Sequence, residues 1–100
     1  MFHEEVIIKI LTQAAMGILA LHSLRIMHRD LKSANIFLTD DNIVKVGDLN
    51  VSRLARNDGL NYTQAGTPYF ASPEVWRDQP YDFKSDVWSL GVITYEMCAL

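Results

Sequence analysis

His28-Arg29-Asp30-Leu31-Lys32-Ser33-Ala34-Asn35 decides the reading of this chain. Taken singly, its polar residues have ordinary uses. Loop Asp and Asn are mostly turn residues, and a lone histidine is mostly packed in a core. The order is what matters. At ordinary usage of about 5% per residue type, the five fixed positions of H-R-D-x-K-x-x-N arise by chance roughly 3 × 10⁻⁷ times per start position. One occurrence in a chain of 100 residues is therefore a signal.

On the N-terminal side, residues from about Glu4 to Leu24 read as a helix. Val6, Ile7, Ile10, Leu11, Ala14, Ile18 and Leu21 recur at three- and four-residue steps, the spacing of an apolar helical stripe. Glu4 and Glu5 suit the positive end of its dipole. On the C-terminal side, Ile36-Phe37-Leu38-Thr39 and Ile43-Val44-Lys45-Val46 read as strands, with the turn formers Asp40, Asp41 and Asn42 between them. That pattern predicts a hairpin. Residues 48–67 are polar and aperiodic, which predicts a long, mobile loop. Ser72-Pro73-Glu74 has the form of a helix start, with serine as cap and proline at the first helical position. A last helix begins near Ser85. Leu90, Val92, Ile93, Tyr95, Met97, Cys98 and Leu100 point all round it; a helix apolar on every side is one made for burial, and 100 residues are expected to be too few to surround it.

Composition narrows the classes. The chain is long enough for one small domain. Apolar residues at 49% and charged residues at 21% make it globular, not disordered. A net charge of −3 provides no basic footprint for nucleic acid or anionic lipid. The single cysteine, Cys98, cannot form an internal disulfide and is expected to be a buried thiol in a reduced compartment. No secretory signal is apparent at the N-terminus. The longest greasy stretch, Val6 to Leu24, is interrupted by Lys9, Thr12, Gln13 and His22, so no membrane insertion is expected.

The eight-residue stretch resembles the catalytic loop of the protein kinases. Two further blocks are similar to that family and stand where it requires them. Ala65-Gly66-Thr67-Pro68-Tyr69-Phe70-Ala71-Ser72-Pro73-Glu74 resembles the segment that seats the residue after the phosphoacceptor, with Ser72 in place of an alanine. Lys84-Ser85-Asp86-Val87-Trp88-Ser89-Leu90-Gly91 resembles the start of the central helix of the large lobe. Asp48-Leu49-Asn50 occupies the place of the magnesium-binding D-F-G.

The resemblance implies roles. Asp30 would accept or orient the proton of the substrate hydroxyl, and Lys32 would hold the γ-phosphate of ATP. Asn35 and Asp48 would hold Mg²⁺, a cation that favours hard oxygen ligands. A hairpin brings its open ends side by side, because paired strands lie about 5 Å apart. That gives a physical reason for the spacing of Asn35 and Asp48. Phe37 would lie under the adenine, flanked by Ile36 and Leu38. His28 and Leu49 would stack in the apolar column of an assembled kinase. Asp86 would accept hydrogen bonds from the backbone around His28 and Arg29, the kind of donors that a buried carboxylate needs. Thr67 would contact Asp30 and Lys32 and, with Lys32 itself, mark Ser/Thr specificity. Thr63 would carry an activating phosphate received by Arg29 and helped by Arg53, with Tyr62 a weaker acceptor. Glu74 would pair with an arginine of the later large lobe.

Lys45-Val46-Gly47-Asp48 and the second and third blocks are similar to the NIMA-related kinases, Ser/Thr kinases linked to mitosis, centrosomes and cilia. Leu49-Asn50 departs from Phe-Gly. Leucine keeps the apolar role, and asparagine is the residue that best tolerates a left-handed backbone after glycine. No glycine-rich loop, strand lysine or partner glutamate is present; these belong to the small lobe, which would precede Met1. The expected fold is α+β: a protein-kinase-like fold limited to part of the C-terminal lobe, mainly helical with one catalytic β-hairpin. Residues 1–100 form a partial kinase domain from helix E to helix F. The expected function is ATP-dependent phosphorylation of a protein at Ser or Thr, in an intracellular, cytoplasmic setting that extends by resemblance to centrosome, cilium or nucleus. The piece alone is expected to be inactive, to expose much of its last helix and to aggregate. The alternatives are a non-catalytic pseudokinase or truncated interaction module, and a different hydrolase or metal protein using Asp30, Asn35 and Asp48. Oligomeric state and the identity of the protein substrate are left open.

Overall fold

The structure is a computed structural model that describes residues 2–41, 43–47, 53–54, 68–77 and 82–99. Helix α1 spans Glu4–Ser23. Its stripe Ile10, Ala14 and Ile18, spaced four residues apart, is buried, as the period predicts. The helix stops where Arg25 turns left-handed at φ 62°. The N–H groups of Leu24 and Arg25 then bond back to the carbonyls of Leu21 and His22 at 3.0 and 2.9 Å. Glycine usually fills such a position, so Arg25 carries a local backbone cost.

Two short antiparallel pairs follow. Strand β1 (Ile26–Met27) pairs with β4 (Arg53–Leu54), and β2 (Ile36–Leu38) pairs with β3 (Val44–Val46). The second pair is the expected hairpin, with Ile36 opposite Val46 and Leu38 opposite Val44. Thr39 and Ile43 belong to its turn, where the Thr39 N–H donates to the Ile43 carbonyl and the Ile43 N–H to the Thr39 hydroxyl. The first pair was not expected. Residues 53–54 lie within the stretch read as a loop, and the rest of that stretch lies outside the described residues.

Helix α1 backs the hairpin. A Cβ on Gly17 would stand 3.2 Å from Val46 Cγ2, so glycine permits the close approach. Gln13 Oε1 accepts the Val44 N–H at 2.9 Å. Helix α2 is the single turn Pro73–Trp76, capped at Ser72 with Pro73 at its start. The Ser72 carbonyl, not its hydroxyl, accepts the N–H groups of Val75 and Trp76.

Helix α3 spans Phe83–Ala99 and packs against α1. Ile10, Ile18, Leu31, Phe70, Ile93 and Met97 form the core cluster. Helix α3 exposes part of its apolar surface, as expected: Ser85, Asp86, Ser89, Leu90, Ile93 and Met97 make one buried stripe, while Val87, Trp88 and Tyr95 are exposed. Two expectations are corrected here. Cys98 is exposed, because it falls off that stripe. Helix α1 is also long and apolar enough to cross a membrane by length and composition, since its interruptions are polar more than charged. Its buried stripe nevertheless faces protein, in contact with α3 and β3.

Candidate active site

The loop between β1 and β2 is shaped by one buried carboxylate. Asp86, fully buried near the start of α3, accepts the N–H of His28 through Oδ2 at 2.8 Å and the N–H of Arg29 through Oδ1 at 3.0 Å. Arg29 adopts φ 73° and is itself buried. A left-handed non-glycine residue costs on the order of 1 kcal/mol and persists only where surrounding bonds enforce it. Here the two consecutive N–H groups aimed at one carboxylate do so.

Asp86 Oδ2 also lies 2.9 Å from His22 Nε2. An ionised carboxylate only accepts, so His22 donates. The His22 ring leans on Phe83 at 4.7 Å between centroids, and the Arg25 guanidinium lies 5.4 Å from the centre of the same ring. Nothing in the local sequence pattern singles out His22. Its one signal is that it breaks the apolar run at the end of α1.

Two bonds fix the His28 tautomer. The Asp30 N–H donates to Nδ1 at 3.2 Å, and Nε2 stands 2.7 Å from the Gly47 carbonyl, which can only accept. His28 is therefore the neutral Nε2–H form. It ties the loop to the residue immediately before Asp48.

Asp30 is only partly buried, and its Oδ2 lies 3.7 Å from Lys32 Nζ. A half-exposed pair of this kind stabilises by at most about 1 kcal/mol; its importance is geometric. Asn35 is buried and donates from Nδ2 to the Asp30 carbonyl at 2.6 Å. With the amide nitrogen on that carbonyl, the amide oxygen points away from it. The Asn35 carbonyl accepts the Gly47 N–H at 2.9 Å, so the two ends of the hairpin meet. Hard oxygen donors in this arrangement fit Mg²⁺ chemistry. Among the described residues, no three His, Cys, Asp or Glu side chains gather as a metal site.

Phe37 is half-exposed, with its ring against Gly47. A Cβ at Gly47 would stand 2.7 Å from Phe37 Cε2, so glycine is required for the ring to lie there. The structure thus brings together His28, Arg29, Asp30, Lys32, Asn35, Phe37 and Asp86. Asp48, Leu49, Tyr62, Thr63 and Thr67 lie outside the described residues, and Arg53 contributes its backbone to β4.

A second group of bonds joins α3 to residues 68–77. The Ser85 hydroxyl donates to Glu74 Oε2 at 2.9 Å, and the Ser89 hydroxyl to the Phe70 carbonyl at 2.6 Å. Burial opposes ionisation of Glu74, but hydrogen bonding from its own backbone N–H and from the Ser72 and Ser85 hydroxyls outweighs it, and the carboxyl is held below its ordinary range. Ser72 is buried, and its hydroxyl makes no well-aligned bond. The sequence reading missed Ser85 and Ser89, although they flank Asp86 on one helical face.

The protein kinase domain model matches residues 1–100. Mouse serine/threonine-protein kinase Nek4 is 48% identical over 97% of this chain, mouse Nek3 45% over 100%, and mouse Nek11 49% over 99%. The chain spans 12%, 20% and 16% of the length of these three relatives.

Proposed function

The chain belongs to the protein kinase family, and from that premise we propose that it carries the phosphotransfer loop and part of the activation segment of a NIMA-related Ser/Thr kinase. The observation that carries the reading is the meeting of Asp30, Lys32 and Asn35 at the open end of the hairpin, with Lys32 Nζ 3.7 Å from Asp30 and Asn35 bonded to the Asp30 carbonyl. Phosphoryl transfer asks little covalent chemistry of the protein. It asks for positioning and for charge placed where the γ-phosphate develops it.

In this reading Asp30 orients the substrate hydroxyl and takes its proton as the Ser or Thr oxygen bonds to the γ-phosphorus of ATP, while the bond from that phosphorus to the β–γ bridging oxygen breaks and ADP leaves. Lys32 faces the transferred phosphate. Asn35, through its amide oxygen, and Asp48 would hold Mg²⁺. The metal, when bound, would neutralise charge on the phosphates. Phe37 would lie under the adenine, and Thr67 would contact Asp30 and Lys32. Thr63 is the activating phosphoacceptor, received by Arg29. Partners are ATP and an intracellular protein bearing a Ser or Thr acceptor.

The 100 residues lack a glycine-rich loop and strand lysine for the ATP phosphates, so turnover belongs to a polypeptide that also supplies them. The test begins with the native size, by immunoblot with an antibody to residues 57–64. It continues with labelled ATP, a general protein acceptor and phosphoamino-acid analysis of the product. A band well above 11.4 kDa with label on Ser or Thr is expected. A single band at 11.4 kDa without transfer would replace the enzyme by an interaction module.

A further inference from the structure

One ring joins the end of α1 to the beginning of α3. Phe83, the first residue of α3, is partly buried. The His22 ring lies 4.7 Å from it between centroids, tilted by 50°, and the Arg25 guanidinium lies 5.4 Å from its centre. A guanidinium at that distance is attracted by the electron-rich face of an aromatic ring. His22 in turn donates to Asp86, which takes the N–H groups of His28 and Arg29.

Arg25 is the unusual member of this group. It is exposed and left-handed, at φ 62°. Glycine adopts that conformation freely, whereas a residue with a Cβ pays for it. A backbone outlier of this kind raises the question of what its side chain does. Here the side chain reaches Phe83, a contact that glycine would forfeit. Arg25 stands three residues before His28, and Phe83 three residues before Asp86. The Arg25–Phe83 contact therefore lies one step ahead, on both segments, of the bonds that shape the loop.

We infer that Arg25 is a positioning residue for phosphoryl transfer: it holds Phe83 against His22, so that His22 stays aimed at Asp86 and Asp86 at the backbone leading into Asp30. The inference rests on the phosphotransfer reading above. Arg25 acts through Phe83, His22 and Asp86 and touches neither ATP nor the peptide.

The test is Arg25→Gly in the native-length protein, with kcat, KM for ATP, KM for peptide and the denaturation midpoint measured separately. kcat is expected to fall about threefold, the size of one exposed cation–π contact, with both KM values unchanged. The midpoint is expected to stay at the wild-type value, because the relieved backbone offsets the lost contact. Phe83→Leu removes the ring and is expected to lower kcat by the same factor. Combining the two substitutions is expected to lower it no further, since both remove one contact. Phe83→Tyr keeps the ring and is expected to lose less than Phe83→Leu. Amide hydrogen exchange should quicken at His28 and Arg29 in Arg25→Gly and in Phe83→Leu. An unchanged kcat in Arg25→Gly, a midpoint that falls in step with kcat, multiplied losses in the double variant, a tyrosine variant as slow as the leucine one, or unchanged exchange at His28 and Arg29 would overturn the inference alone. A wild-type protein that transfers no phosphate would overturn the phosphotransfer reading and this inference with it.

Discussion

The loop His28–Asn35 and the segment Pro68–Trp76 are both fastened to the first turns of α3, but by different bonds. The loop hangs from a buried carboxylate that takes two backbone N–H groups and a histidine. The segment hangs from two serine hydroxyls, one on the Phe70 carbonyl and one on Glu74. Hydrogen bonds to an ionised group are roughly twice as strong as neutral ones. The loop also contains the left-handed Arg29, which must be held in place. The strained loop where the chemistry is proposed thus takes three bonds to one buried carboxylate, and a lighter set holds the segment, one bond to a neutral carbonyl and one to the Glu74 carboxylate.

The largest effect expected from breaking this contrast comes from Asp86→Ala. It leaves the N–H groups of His28 and Arg29 buried without their acceptor, and each orphan costs about 1–3 kcal/mol. A loss on the order of 3–5 kcal/mol is expected by denaturant titration, with the loop His28–Asn35 released. A loss under about 1 kcal/mol, the size typical of a surface pair, would show that the loop holds its shape without α3.

Glu74→Gln addresses the lighter clamp. The folded-state pKa of Glu74 is lowered, so its contribution to stability is present above the unfolded-state value, about 4.3, and is lost as pH falls through the lowered folded value. The denaturation midpoint of the glutamine variant should therefore fall less than that of wild type on acidification below about pH 4. Parallel profiles would mean that Glu74 is not held by Ser85 in solution.

Ser72→Ala should have the smallest effect. Its hydroxyl is buried without a well-aligned partner, and removing such a group is neutral or stabilising. A shift within about 0.5 kcal/mol, in either direction, is expected from thermal unfolding. A loss above about 1 kcal/mol would reveal a hydroxyl bond to Glu74 as strong as an ordinary one.

The sequence disclosed what is local. The stripe Ile10, Ala14 and Ile18 located α1, and the turn residues Asp40 and Asp41 located the hairpin to within a residue at each strand. Counting apolar residues showed that α3 has more apolar surface than this chain covers, and Trp88 and Tyr95 are exposed accordingly, but it did not pick out the line of Ser85, Asp86, Ser89 and Ile93, which are small, charged or apolar and buried because of what they bond or touch. The pair β1 and β4 was invisible because two-residue strands carry no period. The His22–Asp86 bond joins residues 64 apart, a pairing no local pattern reports. His28, Asp30, Lys32 and Asn35 were legible because their type and order form a motif of the protein kinase family. Asp48, Leu49, Thr63 and Thr67 rest on the family resemblance.

The most direct measurement compares turnover by the native-length protein and its Asp30→Asn variant at saturating ATP and peptide. Asparagine keeps the size and cannot take the proton, and a positioned base contributes about 10²–10⁴-fold. The account predicts a fall in kcat of at least about 100-fold with an unchanged denaturation midpoint. A variant that turns over as fast as wild type would contradict the assignment of Asp30 as the residue that handles the substrate proton.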